Sequence, residues 1–292
     1  MLRKLDLIGV QSDWGASQRG ASMGPAAIRF GGLVEGLERQ GHHVRDRGDI
    51  LAPRTGASRE KLLHYEQVSE VNRRVYLSVT ETLEEGRFPV ILGGDHSIAA
   101  VSKRHSGNIG VIWIDAHGDW NSEESTCTGN MHRMPFSAVC GYGPDCMVEF
   151  GQGAAPVNMA HCVQVGGRDI DDLERQRMAQ AGVTVFPINM TDKLGMGAVI
   201  EQAIQIAGEG TDGIHLSFDV DAITPEAVPG TGVIVYNGLT PREAFLAAEA
   251  IAESRKLISM DMVEVNPFLD TANKSGILAS ELIQSALGKS VY

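Results

Sequence analysis

Val111-Ile112-Trp113-Ile114-Asp115-Ala116-His117-Gly118-Asp119 decides how this chain is to be read. Four apolar residues, three of them β-branched, form a short continuous hydrophobic run of the kind found in strands covered on both faces. The run ends in Asp-x-His-x-Asp. If the backbone stays extended, residues at i, i+2 and i+4 point to one side, roughly 6.5 Å apart per step, so three ligand-type side chains converge at the carboxyl end of one strand.

Two other segments repeat this arrangement. Ile214-His215-Leu216-Ser217-Phe218 leads into Asp219-Val220-Asp221, and Val90-Ile91-Leu92 ends in the glycine turn Gly93-Gly94-Asp95-His96. The strand set predicted from apolar runs is Leu5–Val10, Phe88–Leu92, Ile109–Ile114, Cys162–Val165, Val183–Phe186, Gly213–Phe218 and Lys256–Met262. Amphipathic segments alternate with these: Pro25–Gln40, Arg59–Glu85, Ile98–His105, Asp171–Ala181, Lys193–Ala207, Pro241–Glu253 and Ala272–Leu287. Strands alternating with helices predict a βαβ chain, a three-layer α/β/α sandwich around a mainly parallel sheet. With no repeat or Pro/Ser linker to divide it, residues 1–292 are expected to form one domain. In such a sheet the carboxyl ends of the strands form the binding crevice.

The 292 residues, 43% of them hydrophobic, suffice for a large core. A net charge of −12 argues against nucleic acid or an anionic membrane as partner. No apolar run is long enough to span a bilayer, and the start, Met1-Leu2-Arg3-Lys4-Leu5-Asp6, does not resemble a leader peptide. Cys127, Cys140, Cys146 and Cys162 form no CxxC pair, so reduced thiols in the cytoplasm are expected rather than a zinc cluster.

Asp115, Asp119, Asp219 and Asp221 at the mouth of one apolar sheet would repel one another strongly without cations. Two divalent ions balance the four charges. His96 and His117 complete an oxygen-rich set with imidazole, suited to Mn²⁺ or a similar metal. Asp95 points away from His96 in an extended chain and is expected either to accept a ligand or backbone hydrogen or simply to cap the turn. His42, His43, His64, His105, His161 and His215 lack such context and read as surface or packing histidines.

The three strand ends resemble the metal signatures of the ureohydrolase family, which includes arginase and agmatinase. Arg19-Gly20-Ala21-Ser22-Met23-Gly24-Pro25 and Glu264-Val265-Asn266-Pro267 also look like segments of that family, so the likeness extends over nearly the whole chain. It implies two Mn²⁺ per subunit, with His96 and Asp119 on one ion, His117 and Asp221 on the other, and Asp115 and Asp219 bridging; it also implies a homotrimer or homohexamer. The loop from Asn121 to His132 resembles that of arginase, which assigns Asn121, Thr126, Thr128 and Asn130 to the α-carboxylate of arginine. Gly167-Arg168-Asp169-Ile170-Asp171 resembles the segment that receives the α-amino group, making Asp171 the anchor with Glu174 nearby. Glu264 would take two guanidinium N–H groups, Asp119 would relay a proton to the leaving amine, and His132 would shuttle protons, giving ornithine and urea.

Two positions depart from the pattern the resemblance implies. Arg133 stands where glycine is usual after the histidine, and Val233 where a threonine would help Glu264. Hydrolysis of another guanidino compound, agmatine or guanidinobutyrate, and a weakly active or non-catalytic protein are therefore alternatives. A two-metal phosphoesterase is disfavoured because no Gly-rich phosphate loop is evident.

Overall fold

The computed structural model describes residues 2–98, 108–149 and 156–289. Eight parallel strands form a single sheet: β1 (Lys4–Gln11), β2 (His43–Leu51), β3 (Phe88–Leu92), β4 (Gly110–Ile114), β5 (Cys162–Val165), β6 (Thr184–Phe186), β7 (Ile214–Asp219) and β8 (Leu257–Val263). Their order across the sheet is β2-β1-β3-β8-β7-β4-β5-β6. The last two strands of the chain thus insert between β3 and β4, putting the switch in connectivity at the centre of the sheet, where a crevice opens beyond the strands' carboxyl ends.

Alternation along the strands divides the core in two. Leu5, Leu7, Val90, Leu92, Ile112 and Ile114 face one layer of helices: α1 (Gly24–Phe30), α2 (Leu33–Arg39), α8 (Met196–Gly208), α9 (Pro241–Ser254) and α10 (Lys274–Ala286). Ile8, Val10, Ile91, Val111 and Trp113 face the other, made by α3 (Tyr65–Glu84), α4 (Pro135–Val139) and α5 (Asp145–Val148), with Met178 of α6 (Asp172–Ala181) at its edge. On α3 the valines at 68, 71, 75 and 79 recur at helical spacing and are all buried. A further short helix, α7 (Ile188–Leu194), precedes α8. The three-layer expectation holds.

Several element boundaries differ from the sequence reading for identifiable reasons. The segment Pro25–Gln40 is two helices, because Gly32 adopts φ 82° and breaks the run. Lys193–Ala207 is likewise split at Gly195, with φ 79°. The long helix begins at Tyr65, not Arg59. The predicted helix Ile98–His105 lies, apart from Ile98, outside the described residues. The sequence reading omits β2 altogether: it is an edge strand, rich in charge and only partly buried. It pairs because Arg45 donates to both oxygens of buried Asp6 on β1, at 2.9 and 2.6 Å, and Arg87 donates to the same carboxylate. A charged edge of this kind also discourages strand addition.

Candidate active site

The four central strands, β3, β8, β7 and β4, each deliver functional groups at their carboxyl ends. After β3 the chain turns through Gly93 and Gly94 at a crowded crossing. A Cβ on Gly94 would lie 1.8 Å from the Ser12 carbonyl oxygen, so only glycine admits this approach. The turn presents His96, which is buried with its ring stacked on Trp113, centroids 4.3 Å apart, and that ring in turn on Phe136. Asp95 holds the turn as expected: one oxygen accepts from Gly15 N at 2.9 Å, the other from Ser97 N at 2.8 Å.

Strand β4 ends at Ile114, so the extended geometry assumed for Asp115, His117 and Asp119 does not persist. Convergence is achieved by a turn. Asp115 Oδ1 accepts from His117 N at 2.7 Å, and Asp119 adopts the left-handed φ of 49°. Asp219 caps the next turn in the same way, accepting from Asp221 N at 2.8 Å. His96 Nδ1 lies 3.2 Å from Asp115, 3.1 Å from Asp119 and 3.2 Å from Asp219, while His117 Nδ1 lies 3.4 Å from Asp115 and 3.1 Å from Asp221. All six predicted ligands are thus brought together and buried.

One imidazole nitrogen cannot donate to three carboxylates, and the buried Asp119 Oδ2 has no hydrogen-bond partner among the described residues. His96-Asp115-Asp219 and Asp115-His117-Asp221 form two groups whose ligand atoms lie within 4.8 Å of one another, sharing Asp115. The donor set fits two multivalent cations. Electrostatics agree: burial and the charges of Asp221 and Asp115 push Asp219 well above the usual carboxylate range, and burial with Asp115 pushes Asp119 up to about 6. Burial opposes protonation of His96, but Asp115, Asp119 and Asp219 overcome it and hold the ring well above its ordinary value. Protons are poor substitutes for cations here.

The model described as the Arginase family matches residues 3–288. The chain belongs to the arginase family. Among its relatives, the arginase of Bacillus caldovelox is 38% identical with 99% of each sequence covered, and that of Brevibacillus brevis 39% identical with the same coverage. The solved structure of Bacillus caldovelox arginase superposes with a TM-score of 0.95 at 37% identity, covering all of both chains. Bacillus subtilis arginase superposes at 0.94 and 39% identity, over 99% of this chain and all of that one.

In this arginase-family chain His96 is oriented from behind. His96 Nε2 lies 2.8 Å from Ser217 Oγ, which donates to Asp261 Oδ1 at 2.7 Å, and Asp261 Oδ2 lies 3.0 Å from His215 Nε2. His215 Nδ1 meets Ser259 Oγ at 2.9 Å. The sequence reading treats His215 as packing and misses Ser217 and Asp261. The alternation His215-x-Ser217-x-Asp219 was the available signal, since it places all three on one side of β7.

Glu264 follows β8 in a left-handed conformation, φ 63°, that turns its carboxylate over the strand ends. Its Oε1 accepts from His96 N at 2.8 Å and lies 3.1 Å from His132 Nδ1. Burial works against the Glu264 charge, yet His132 and His96 keep its acidity stronger than usual. Burial also works against a cationic His132, but Glu264, Asp95 and Asp119 raise it.

The cavity is lined by His96, His117, Asp119, Asp219, Asp221 and Glu264 at its floor and by Ser17, Thr128, Asn130, His132, Arg133 and Val233 towards its mouth. Of the residues assigned to substrate, only Thr128 and Asn130 reach this lining. Asn121 instead bonds Glu174 and Ser125, and Thr126 Oγ1 accepts from Gly129 N at 2.9 Å; both shape the loop. Glu174 is fully buried and accepts from Trp120 N, Asn121 Nδ2 and Asp171 N, while Asp171 is exposed ahead of α6. Ser17, which donates nothing recognisable at the sequence level, joins the site because Asn130 Nδ2 bonds its hydroxyl at 3.1 Å.

Proposed function

We propose that this chain is an arginase, hydrolysing the guanidino group of L-arginine to L-ornithine and urea. The observation that carries this reading is the buried meeting of four aspartates and two histidines from the central strands, with the Glu264 carboxylate above them. Full-length similarity to arginases supports it.

His96 and Asp119 would hold one divalent cation, His117 and Asp221 the other, with Asp115 and Asp219 shared; Mn²⁺ suits these donors. When bound, such a pair supplies an activated water nucleophile and positive charge for the developing tetrahedral centre. The protein's own groups do the rest. Glu264 Oε1 is engaged by His96 N–H, leaving Oε2 to take guanidinium N–H groups and set the plane of the carbon. Thr128 and Asn130 stand at the other end of the cavity, where hydroxyl and amide dipoles suit a carboxylate. Asp119 Oδ2, otherwise unpartnered, receives the nucleophile's proton and passes it to the departing amine, which cannot leave as an anion. His132, raised by Glu264, exchanges that proton with solvent.

The reading includes one domain over residues 1–292, a cytoplasmic location and a homotrimer or homohexamer. Free cysteines support the reducing compartment, and exposed Phe30, Tyr236 and Phe268 support self-association. No helix among the described residues is long and apolar enough to cross a membrane.

Urea release from L-arginine with added Mn²⁺ tests the reading. The wild type is expected to turn over, and Asp119→Asn to lose at least 100-fold in kcat. Absence of urea from L-arginine at saturating Mn²⁺, with the fold intact, would sink it.

A further inference from the structure

Arg133 shares the 3₁₀ turn Met131–Arg133 with His132, and both line the catalytic cavity. Its guanidinium is unusual there. Among the described residues its buried Nε has no hydrogen-bond partner, and no carboxylate stands at ion-pair distance from the guanidinium. Asp169 and Glu174 feel its charge without an ion pair to it: Asp169 lies 3.5 Å from His117 Nε2, and Glu174 holds the backbone of Trp120 and Asp171. A half-buried cation without a partner is costly, and it sits beside Ser17, Thr128 and Asn130, which add neutral polar groups but no anion.

The lining is segregated by charge. Every carboxylate that lines the cavity, Asp119, Asp219, Asp221 and Glu264, is at the floor. With cations balancing the aspartates and the substrate guanidinium balancing Glu264, the Arg133 guanidinium has no carboxylate at ion-pair distance among the described residues. No carboxylate among the residues at the mouth of the lining meets an ammonium: Asp171 is exposed and outside the lining, and Glu174 is fully buried. A substrate that fits is cationic at one end and anionic at the other, and its α-ammonium is dispensable.

Resting on the arginase reading, we propose that Arg133 is a specificity-determining clamp for the substrate carboxylate, and that the enzyme also hydrolyses ω-guanidino acids lacking an α-amino group. For 5-guanidinopentanoate, water adds to the guanidinium carbon, the bond from that carbon to the chain nitrogen breaks, and the departing nitrogen takes a proton. The products are urea and 5-aminopentanoate.

Two matched compounds separate the groups on arginine's α-carbon: 5-guanidinopentanoate lacks only the amino group, and agmatine lacks only the carboxylate. In the wild type, kcat/KM for 5-guanidinopentanoate is expected within tenfold of that for L-arginine, and that for agmatine at least 100-fold lower. Arg133→Met should raise KM for both acids 10- to 100-fold, as expected for a lost charge-assisted hydrogen bond, with kcat changed less than threefold and agmatine unimpaired. Arg133→Lys should recover part of the loss, which a purely structural role would not give. Calorimetric binding of the product analogue 5-aminopentanoate, which involves no turnover, should weaken at least tenfold in Arg133→Met. The proposal is overturned if that dissociation constant and both KM values stay within twofold of wild type, or if KM for L-arginine falls. It is also overturned if 5-guanidinopentanoate is not hydrolysed while L-arginine is. If no compound yields urea, the hydrolase reading fails, and the binding comparison still decides the clamp.

Discussion

Replacing Glu264 by glutamine removes one charge from the cavity while leaving its shape. The structure dictates which way the amide turns. Oε1 must remain an acceptor, because it faces His96 N–H at 2.8 Å and His132 Nδ1 at 3.1 Å, so the new NH₂ takes the place of Oε2. That position points a donor at the donors of a guanidinium. The loss combines a charge-assisted hydrogen bond, about 1.5–3 kcal/mol, with the cost of an N–H left facing another donor, about 1–3 kcal/mol. The two are not fully additive, and a total of about 3–4 kcal/mol corresponds to a fall of roughly 10²- to 10³-fold in kcat/KM for L-arginine. Because the Oε1 contacts survive, thermal unfolding should shift by no more than roughly 4 °C. The assay is initial-rate urea release over a range of L-arginine concentrations, beside a melting curve. A fall smaller than tenfold, with the fold intact, would refute the placement of the guanidinium against Glu264.

Three other outcomes follow from the geometry. Manganese at about 100 times its dissociation constant should stabilise the protein by about 2.7 kcal/mol, roughly 5 °C or more in Tm, and chelation should reverse this; Asp115→Asn, which removes the carboxylate common to both ligand groups, should blunt it, and an unchanged melt at saturating Mn²⁺ would contradict the cluster. Burial first, and then the charge of Asp119, push Glu174 from 4.5 up to about 7. A raised carboxylate contributes stability below its unfolded value that is lost as pH rises through the folded one, so the wild type should lose on the order of 2–3 kcal/mol more than Glu174→Gln between pH 5 and 8 in urea denaturation; equal slopes would count against it. Asp261→Asn should weaken metal affinity 10- to 100-fold by releasing Ser217 from its hold on His96, read by competition with a chelating dye, and an unaltered affinity would deny that chain any orienting role.

Much of the fold was legible because burial on both faces leaves an unambiguous mark: Phe88–Leu92 and Gly110–Ile114 are apolar runs without a polar partner face. The strand β2 was not, because Arg45 and Arg47 pair with Asp6 and Glu81 across the edge, and charge of that kind looks like a loop until its partner is known. The clustering of the six candidate ligands was legible because their type and place after strands are both demanding. The assignment of loop residues was weaker. Asn121 and Thr126 are polar residues in the expected place, yet they bond the loop's own atoms; local side-chain to backbone bonding competes with ligand binding for the same groups, and sequence cannot say which wins.

The site and the sheet register are one constraint. Parallel pairing sets Ser217 opposite Asp261 and His215 opposite Ser259, and the same alignment brings Asp219 level with Val263, one residue before Glu264. A slip of one residue in either strand would turn the orienting network to the far face and separate His96 from its neighbours. Apolar packing alone tolerates several alignments of near-continuous hydrophobic strands, whereas His96, tied to Ser217 on β7 and through its backbone to Glu264 after β8, admits one. Left-handed backbone at Asp119 and Glu264, worth about 1–3 kcal/mol of strain at each, persists because this alignment leaves those carboxylates no other way to face the cavity. The aspartates therefore act against local stability and for uniqueness of the fold, and cations at the strand ends relieve the first while depending on the second.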